Sequence, residues 1–574
     1  MYNKRPNKII KNGAGAAVAG WPAIISTIQN TIKNQNKSTI VIDCYPGVNT
    51  TEIFEAIAPL RPALLINADD LAWEPAKMEA YLTQTLTDDR VFGYMTDKNL
   101  ADFFEAEKIQ DAKAKVEAAQ GLVVIIGTGA ALVTPGDILI HATLNRWELQ
   151  LRYRKGQPNW RCTNTDAPIL SKYKWGFFAQ WRWADKHKIG LYNSFDYVIS
   201  TNTPGQPTMV TGDGLRAGLR QLAGEPFRTV PYFDEGVWGG QWMKKVCDLD
   251  PSVDKYAWAF DGVPEENSLI LTYGDVDVEI PAIDLVLTQP LPLLGQRVYD
   301  QFGAEFPIRF DFLDTFEGGK LSLQVHPLKA YIQEKFGMKY TQDESYYILD
   351  AKPGAVAYLG LREDVDRAAM EADLRAAQAG EIQFDADKYC NRYPIKKHDH
   401  ILIPAGTIHC SCEDTMVLEI SATPYIFTFK LWDWGQVGLD GKPRPIHLEH
   451  GLANIQWDRT TRWVDNNCVG QVSTLEDSGS LLVEKTGLHP LEPIETVRYT
   501  MDNGQAITLE SNDSVRMLNL VEGTGVVVTS PDGAFAPMAV SYAETFILPA
   551  AIEKCIITPA NPTETCKLLV AYIR

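Results

Sequence analysis

The sequence lacks any run of eighteen or more apolar residues, the length that a helix needs to cross a bilayer. Its basic start is followed by Ala and Gly instead of the Leu-rich centre of an export signal, which it resembles only faintly. Cysteine is scarce: the nine residues are scattered, and Cys410 and Cys412 have no second pair at zinc-finger spacing. We therefore expect no membrane span, no zinc site made of four cysteines, reduced and mostly buried thiols, and a cytoplasmic location.

Positive charge is in deficit. Lys and Arg number 54 against 73 Asp and Glu, which gives a formal net charge of −19. The electric field of a protein with this negative charge repels nucleic acid and anionic membranes, so neither is predicted as a partner. An acidic ligand would need a local basic pocket. With 45% apolar and 22% charged residues the composition is globular, and 574 residues predict two or three domains. The oligomeric state is left open.

After an N-terminal segment of residues 1–38, the chain from 39 to 225 has the pattern of an α/β domain. Short apolar runs alternate there with helix-like stretches, and these runs are TIVID (39–43), ALLIN (63–67), LVVII (122–126), DILIHA (137–142) and FDYVIS (195–200). This alternation favours a mostly parallel sheet covered by helices. The domain is predicted to end near residues 224–226.

Residues 41–57, VIDCYPGVNTTEIFEAI, lie where a strand, a glycine turn and a helix would form a phosphate-binding loop. They resemble the start of the P-loop nucleoside-kinase fold. A working loop needs Lys before Ser or Thr, because the Lys neutralises phosphate charge and the hydroxyl holds Mg²⁺. Residues 47–51 supply hydroxyls but no Lys. We therefore predict a degenerate kinase-like domain with a structural or interaction role, while weak anion binding by the helix N-terminus stays open.

From about residue 230 the chain changes to short strands separated by Pro and Gly, which is typical of an all-β sandwich or barrel. One helical stretch, DVDRAAMEADLRAAQAG (364–380), forms an insertion near residues 361–393. Two β regions share a strand that enters an LIPA or ILPA turn, so we predict a double jelly roll. Its first domain covers residues 230–480. The second, residues 481–574, carries no His or Glu set at the matching positions and is predicted to be metal-free.

One strand-like block, LSLQVHP at residues 321–327, carries the first candidate ligands. Alternate side chains of a strand share a face, so Ser322, Gln324 and His326 point to one side and the apolar side chains to the other. A Glu that begins another alternating strand and a His that follows a Pro-Ala-Gly-Thr turn complete an N/O donor set suited to Zn²⁺. This set is Gln324, His326, Glu344 and His409. Taken singly, each His is more often a hydrogen-bonded structural residue than a ligand.

The region of residues 230–574 resembles the type I mannose-6-phosphate isomerase family of cupin-fold metalloenzymes. Its motifs come in the family's order: Trp-Gly-Gly within 233–240, Trp258–Phe260, the QVHP strand, Glu344–Leu349, Pro404–His409, VLEIS, and the block 431–450. The resemblance implies one zinc ion per chain, held by Gln324, His326, Glu344 and His409. It also implies that Ser322 and Glu419 belong to the active site, although Glu419 is alternatively a carboxylate that orients a ligand histidine.

The family surrounds its metal with lysines and an arginine, and this sequence departs from that pattern at three positions. Arg309 stands at or near one expected lysine, Gln342 replaces another, and Lys430 replaces an arginine, whereas Arg444 keeps a second family arginine. Without the resemblance, each of the three basic residues would be read as a solvated or stem-packed side chain. With it, the catalytic candidates are Lys430, Glu419 and Arg309, and the substrate-binding candidates are Ser322, Arg444 and Gln342.

The activity that the resemblance implies is the interconversion of mannose 6-phosphate and fructose 6-phosphate, with a small-molecule sugar phosphate as the partner. Zinc would polarise the sugar oxygens while a nearby base moves a proton between C1 and C2. The three departures leave two alternatives open: a sugar-phosphate-binding cupin with weak or no turnover, acting as a sensor or scaffold, and an isomerase for a different phosphosugar. An active kinase fused to an isomerase is disfavoured by the missing Lys.

Overall fold

The computed structural model describes residues 1–35, 39–422, 425, 427–438, 444–487 and 489–574. The chain divides into two compact units. The N-terminal unit comprises residues 7–222 and 268–288, and the β-rich unit comprises residues 1–6, 223–267 and 289–574. Within these described ranges no helix is both long and apolar enough to cross a membrane.

The first half of the chain alternates strands and helices. The strands of residues 1–288 are β1 (Asn7–Ile9), β2 (Ala17–Ala19), β3 (Thr39–Cys44), β4 (Leu64–Asn67), β5 (Val123–Gly127), β6 (Ile138–Thr143), β7 (Tyr197–Ser200), β8 (Thr208–Thr211), β9 (Tyr232–Gly240), β10 (Tyr256–Gly262), β11 (Ser268–Tyr273) and β12 (Val276–Pro281). The α-helices are α1 (Trp21–Gln35), α2 (Thr50–Ile57), α3 (Pro75–Thr85), α4 (Ala106–Ala118), α5 (Arg146–Arg154), α6 (Ile169–Trp175), α7 (Trp181–Leu191), α8 (Gly212–Leu222), α9 (Trp242–Val246) and α10 (Ile283–Thr288).

The N-terminal unit is built on a seven-stranded sheet in the order β2-β8-β7-β6-β3-β5-β4. Five neighbouring strands, from β7 to β4, are parallel, and β8 and β2 extend the sheet with antiparallel pairs. Every residue of β5 and β6 is buried, as expected for central strands that read as continuous apolar runs. The predicted parallel sheet is confirmed.

A three-stranded sheet of the same unit joins distant parts of the chain. β1 pairs in parallel with β11, and β11 pairs antiparallel with β12. On α7, Lys188 forms a buried ion pair with Asp284 on α10 at 2.5 Å. The sequence assigned residues 1–38 to a separate segment and residues 268–288 to the β region, whereas the structure places β1, β2, α1 and the segment 268–288 in this unit. Pairing between strands about 260 residues apart in sequence leaves no local pattern to read.

The second half of the chain is dominated by strands. They are β13 (Arg309–Asp314), β14 (Leu323–Val325), β15 (Glu344–Ala351), β16 (Val356–Leu361), β17 (Cys390–Pro394), β18 (His400–Ile403), β19 (His409–Ser411), β20 (Thr415–Ser421), β21 (Phe429–Trp432), β22 (Ser473–Asp477), β23 (Leu481–Lys485), β24 (Ile494–Met501), β25 (Ile507–Glu510), β26 (Arg516–Glu522), β27 (Gly525–Thr529), β28 (Met538–Ser541), β29 (Thr545–Leu548), β30 (Lys554–Pro559) and β31 (Cys566–Ile573). The helices are α11 (Pro290–Leu294), α12 (Gln296–Phe302), α13 (Lys329–Phe336), α14 (Arg367–Gln378), α15 (Leu448–Asn454) and α16 (Thr461–Asn467).

Up to β21, the strands of the β-rich unit form a six-stranded sheet, β18-β15-β20-β13-β10-β9, and a five-stranded sheet, β17-β16-β19-β14-β21. Every residue of β13, β14, β19 and β20 is buried, although polar and charged residues occur in each of them. Because burying a polar group is costly unless it finds a partner, these strands mark the place of a candidate site.

The helical insertion predicted at residues 364–380 is confirmed as α14. The side chain of Asp366 accepts a hydrogen bond from the backbone N–H of Ala369 and so caps the start of the helix. Gly380, at φ +81°, adopts the left-handed conformation that glycine favours just after a helix end.

The strands β22 to β31 form two antiparallel sheets, β22-β23-β24-β31-β26-β29 and β25-β30-β27-β28. Side chains from both sheets make one buried core that includes Leu518, Leu568, Val528 and Ile557. The predicted all-β character of this region is confirmed, while its jelly-roll connectivity stays a prediction. All nine cysteines of the chain are buried and free, as the sequence predicted.

Candidate metal centre and active site

Both sheets that precede β22 contribute to a cluster of buried polar side chains. Gln324 lies in β14 and pairs in register with His409, the first residue of β19. His326 follows β14 by one residue, and Glu344 begins β15 in the six-stranded sheet. All four side chains are buried. The structure thus brings together the four residues that the sequence proposed as ligands.

Three of these side chains face one another at close range. Glu344 Oε2 lies 3.0 Å from His326 Nε2, and Glu344 Oε1 lies 2.9 Å from His409 Nε2. One ligand atom from each residue falls within 4.8 Å of the others. Ligands bound tetrahedrally at about 2.1 Å from a zinc ion stand about 3.4 Å apart, so the observed spacing is near that of a metal site.

The other ring nitrogen of each histidine is held by the backbone. His326 Nδ1 lies 2.8 Å from the carbonyl oxygen of Phe427, and His409 Nδ1 lies 3.0 Å from that of Thr407. A carbonyl oxygen only accepts, so each Nδ1 carries the proton and each neutral ring points the lone pair of Nε2 towards Glu344. Fixing the tautomer through a backbone carbonyl is how proteins prepare histidines to bind metal.

Gln324 completes the set through an amide that Ser322 holds. Its Nε2 lies 3.1 Å from His409 Nε2, and its Oε1 accepts a hydrogen bond from Ser322 Oγ at 2.8 Å. Turning the amide by 180° keeps the contact, because a hydroxyl also accepts, and brings the oxygen to face the histidines. Ser322, predicted to bind substrate, therefore contacts and orients a candidate ligand.

The donor set fits a cation. Within the described ranges, His326 Nε2 and Glu344 Oε1 are buried atoms that make no hydrogen bond. Burial alone would raise the pKa of Glu344, but the positive charge that His326 and His409 supply when both are protonated and no cation is bound outweighs it and holds that pKa well below its usual range. Lone pairs and a carboxylate that converge in a buried space need positive charge between them. One carboxylate and three neutral N/O donors suit a divalent ion such as Zn²⁺.

Gln342, the second residue predicted to bind substrate, lies behind the ligands. Its Nε2 donates to Glu344 Oε2 at 2.8 Å, and its Oε1 accepts from the backbone N–H of Phe427 at 2.8 Å. Since the carbonyl of Phe427 also contacts His326, this one amide ties two candidate ligands to the same loop. These are the contacts of a positioning residue.

The predicted catalytic residues Arg309 and Glu419 share a face of the six-stranded sheet with Glu344. Arg309 and Glu344 both pair with Ser421, and Glu419 pairs with Asp311, so these side chains point to the same side. Arg309 Nε donates to Asp311 Oδ2 at 2.6 Å. Burial, followed by the charges of Glu344 and Asp311, raises the pKa of Glu419 well above its usual range. Glu419 therefore releases its proton less readily than an ordinary carboxyl.

Lys430, the third catalytic candidate, lies on β21 directly across from Gln324. Its Nζ is 3.4 Å from Asp433 Oδ2, and Asp433 Oδ1 lies 3.1 Å from Arg444 Nη1. The structure therefore brings Lys430 beside a candidate ligand and joins it to Arg444 through one buried carboxylate.

Asp311 and Asp433 are the site residues that sequence reasoning missed. Asp311 comes two residues after Arg309 on a strand, and that spacing alone places both on one face. Asp433, three residues after Lys430 and just beyond the end of β21, gave no such signal.

The loop predicted to be a degenerate phosphate loop joins β3 to α2. Gly47 has φ +94°, and a Cβ there would lie 2.2 Å from Leu149 Cδ1. The carbonyl oxygen of Gly47 accepts hydrogen bonds from Arg152 at 3.1 Å and Gln157 at 2.9 Å. An apolar side chain and two donors of the same unit thus surround the turn where a phosphate loop would hold its ligand.

In comparison with known proteins, different parts of the chain match different families and relatives. Residues 20–224 match a family described as a domain of unknown function (DUF8485). The chain is 25% identical over 230 residues to the mannose-6-phosphate isomerase of Streptococcus mutans serotype c, covering 40% of this chain and 67% of that protein. It is 25% identical over 234 residues to mannose-6-phosphate isomerase ManA of Bacillus subtilis, covering 40% and 68%. These relatives support the resemblance that the motifs indicated.

Among solved structures, the chain is similar to the crystal structure of the mannose 6-phosphate isomerase from Bacillus subtilis. The match has 20% sequence identity and a TM-score of 0.47, and covers 61% of this chain and 99% of that one.

Proposed function

We propose that the protein is a metal-dependent aldose–ketose isomerase that interconverts mannose 6-phosphate and fructose 6-phosphate. The observation that carries this proposal is the convergence of Gln324, His326, Glu344 and His409, with both histidines held in the tautomer that presents Nε2. The relatives named mannose-6-phosphate isomerase support the substrate class. The partner is a small-molecule sugar phosphate, and free, buried cysteines fit a cytoplasmic protein.

One zinc ion per chain would be held by these four residues. When bound, a divalent ion supplies a Lewis acid that polarises the sugar oxygens. The remaining chemistry belongs to side chains of the chain itself.

The isomerisation moves a proton between C1 and C2 of the sugar, so the chain must supply a group that accepts and returns it. Glu419 is suited to this role, because it lies on the same sheet face as Glu344 and has a raised pKa. Lys430, beside Gln324, supplies positive charge near the sugar oxygens as negative charge develops on them. Arg309 is held by Asp311 and adds a fixed charge to the same face.

A second candidate function is a protein that binds a sugar phosphate with weak or no turnover. It is favoured by the pairing of each basic residue among the catalytic and substrate-binding candidates with a carboxylate: Arg309 with Asp311, and both Lys430 and Arg444 with Asp433. A phosphate dianion would have to compete with these internal partners.

The N-terminal unit is proposed to contain a degenerate kinase-like domain that transfers no phosphate. The absence of Lys in residues 47–51 and the packing of Leu149 against Gly47 support this proposal. We expect no ATP-dependent phosphorylation of sugars or nucleosides by the purified chain. Phosphorylation that is lost on changing Thr50 would contradict it.

The test of the main proposal uses the full chain. Purified protein is incubated with mannose 6-phosphate, and fructose 6-phosphate is followed with no addition, after chelation, and after chelation with zinc restored. We expect turnover that chelation removes and zinc restores. Binding of mannose 6-phosphate without turnover would select the second candidate, and neither binding nor turnover would contradict both.

A further inference from the structure

A buried arginine lies between the two sheets of the C-terminal β region, in the part that the sequence predicted to be metal-free. Arg516 is the first residue of β26, and its side chain points to the same side as Leu518 and Leu520, which belong to the core between the sheets. Only 3% of the residue is exposed. The fold thus directs a guanidinium group into an apolar interior.

This guanidinium is under-satisfied. Its Nη2 donates to the carbonyl oxygen of Ile552 at 2.8 Å, but Nε and Nη1 are buried and have no hydrogen-bond partner within the described ranges. The carboxylate in the same row of the sheet is that of Glu495, which lies two strands away from Arg516. Lys485 Nζ already contacts this carboxylate at 2.6 Å.

Arginine keeps its charge in proteins, so it cannot escape burial by losing a proton. Burial lowers the pKa of Arg516, and only Cys555 and Tyr499 act against that shift. A buried cation without a counter-charge is among the most costly features that a core can contain. Its persistence is explained if an anion completes the site.

Two tyrosines lie on the same face of this sheet as Arg516. Tyr572 pairs in register with Arg516 and points to the same side, and Tyr499 packs against the edge of the same core. Both are half-buried, so part of each side chain is open to solvent. Burial raises the pKa of each hydroxyl, so both stay protonated and can donate hydrogen bonds.

We propose that Arg516, with Tyr572 beside it on the neighbouring strand, forms a binding site for a compact oxyanion of the phosphate class, separate from the candidate metal centre. The unsatisfied Nε and Nη1 of the guanidinium, together with the phenol donor of Tyr572, match the several acceptor oxygens of a phosphate group. The shared chemistry is the phosphate group, either free or carried by a sugar.

The test uses the full chain, freed of metal by chelation, in phosphate-free buffer. Calorimetric titration with inorganic phosphate, and separately with mannose 6-phosphate, is compared for wild type, Arg516→Met and Arg498→Met. Arg498 is the matched control, because it lies in the neighbouring part of the same sheet but is paired with Glu484 at 2.8 Å. We expect saturable binding that Arg516→Met weakens at least about tenfold and Arg498→Met leaves unchanged. The loss of affinity caused by Arg516→Met, compared between the two ligands, tells free phosphate from the sugar-linked group, because binding of mannose 6-phosphate at the candidate metal centre does not depend on Arg516.

Thermal unfolding provides an independent measurement. Saturating phosphate should raise the midpoint of the wild type and leave that of Arg516→Met unchanged, since only a ligand bound to the folded state stabilises it. If Arg516→Met fails to fold, Tyr572→Phe replaces it and should weaken binding by removing one donor. Absence of phosphate binding in the wild type, or equal binding in wild type and the Arg516 or Tyr572 variant, would overturn the proposal.

Discussion

The β-rich unit contains two buried polar clusters that lack opposite kinds of partner. Around Glu344, lone pairs of His326 and His409 converge with a carboxylate, so the missing partner must be positive. Around Arg516, N–H groups converge with no carboxylate paired to the guanidinium in the described ranges, so the missing partner must be negative. Both clusters are buried, and apolar side chains of the same unit form the cores around them.

A buried polar group without a hydrogen-bond partner thus indicates the charge of the partner that would satisfy it. With each Nδ1 donating to a backbone carbonyl, Nε2 of each histidine meets Glu344 with either a proton or a bound cation between them. The second cluster has no such arrangement of acceptors and cannot attract a metal ion.

The largest effect is expected for His409→Ala. Removing one of two imidazole ligands should abolish isomerase turnover, by about a thousandfold or more, and reduce bound metal far below the one equivalent expected for the wild type. The fold should persist, because the apolar cores lie on other strand faces. Turnover and metal analysis by mass spectrometry are the measurements.

His398→Ala is the matched control for this change, since His398 is a half-buried histidine that contacts Tyr347 and Glu522. It should keep its metal. A fully active His409→Ala protein that still holds one equivalent of metal would remove both the ligand set and the proposed mechanism.

Lys430→Met should have the next largest effect. The variant keeps the apolar stem and removes only the charge, so a lost charge-assisted contact of about 2–4 kcal/mol slows turnover by about thirtyfold to a thousandfold. Turnover should fall more than the affinity for mannose 6-phosphate. Steady-state kinetics measure both, with the exposed Lys352→Met as control. Equal kinetics in Lys430→Met and wild type would remove Lys430 from the catalytic residues.

Much of the fold could be read from the sequence because its signals are local. The parallel strands follow from apolar runs, and α14 from its periodicity and its glycine end. The candidate ligands were found because two of them lie two residues apart on one strand and the others flank recognisable turns. Local spacing suggested the donor set, and the family resemblance assigned its four members as metal ligands.

What the sequence did not reveal depends on long-range pairing. The union of β1 with β11 brings residues 268–288 into the N-terminal unit, so a fragment that starts at residue 230 would contain β11 and β12 without β1. Likewise, the sequence of an alternating strand such as β26 does not reveal whether a charged residue on it is opposed by a residue of opposite charge. Arg498 and Arg516 read alike in sequence, but only Arg498 meets a carboxylate in the described structure.

Gln342→Leu tests whether orientation of a ligand matters as the geometry indicates. The change removes the amide that holds Glu344 and Phe427 but leaves all four candidate ligands in place. Loss of such an orienting contact typically lowers metal affinity about 10–100-fold. Zinc affinity is measured by competition with a chromogenic chelator. Gln333→Leu, on the exposed side of α13, is the control. Unchanged zinc affinity together with a raised KM would return Gln342 to the substrate-binding role that the sequence predicted.

The smallest effect is expected for Gln324→Ala. A neutral amide oxygen is the weakest donor of the set and water can replace it, so turnover should fall less than about tenfold and most of the metal should remain. Ser322→Ala, which removes the hydroxyl that holds the amide, should have an even smaller effect in the same direction. Metal content and turnover are measured beside His409→Ala under identical conditions. If Gln324→Ala instead loses metal as completely as His409→Ala, the amide is an obligatory ligand. In that case the centre depends on four protein donors, and water cannot substitute for the weakest of them.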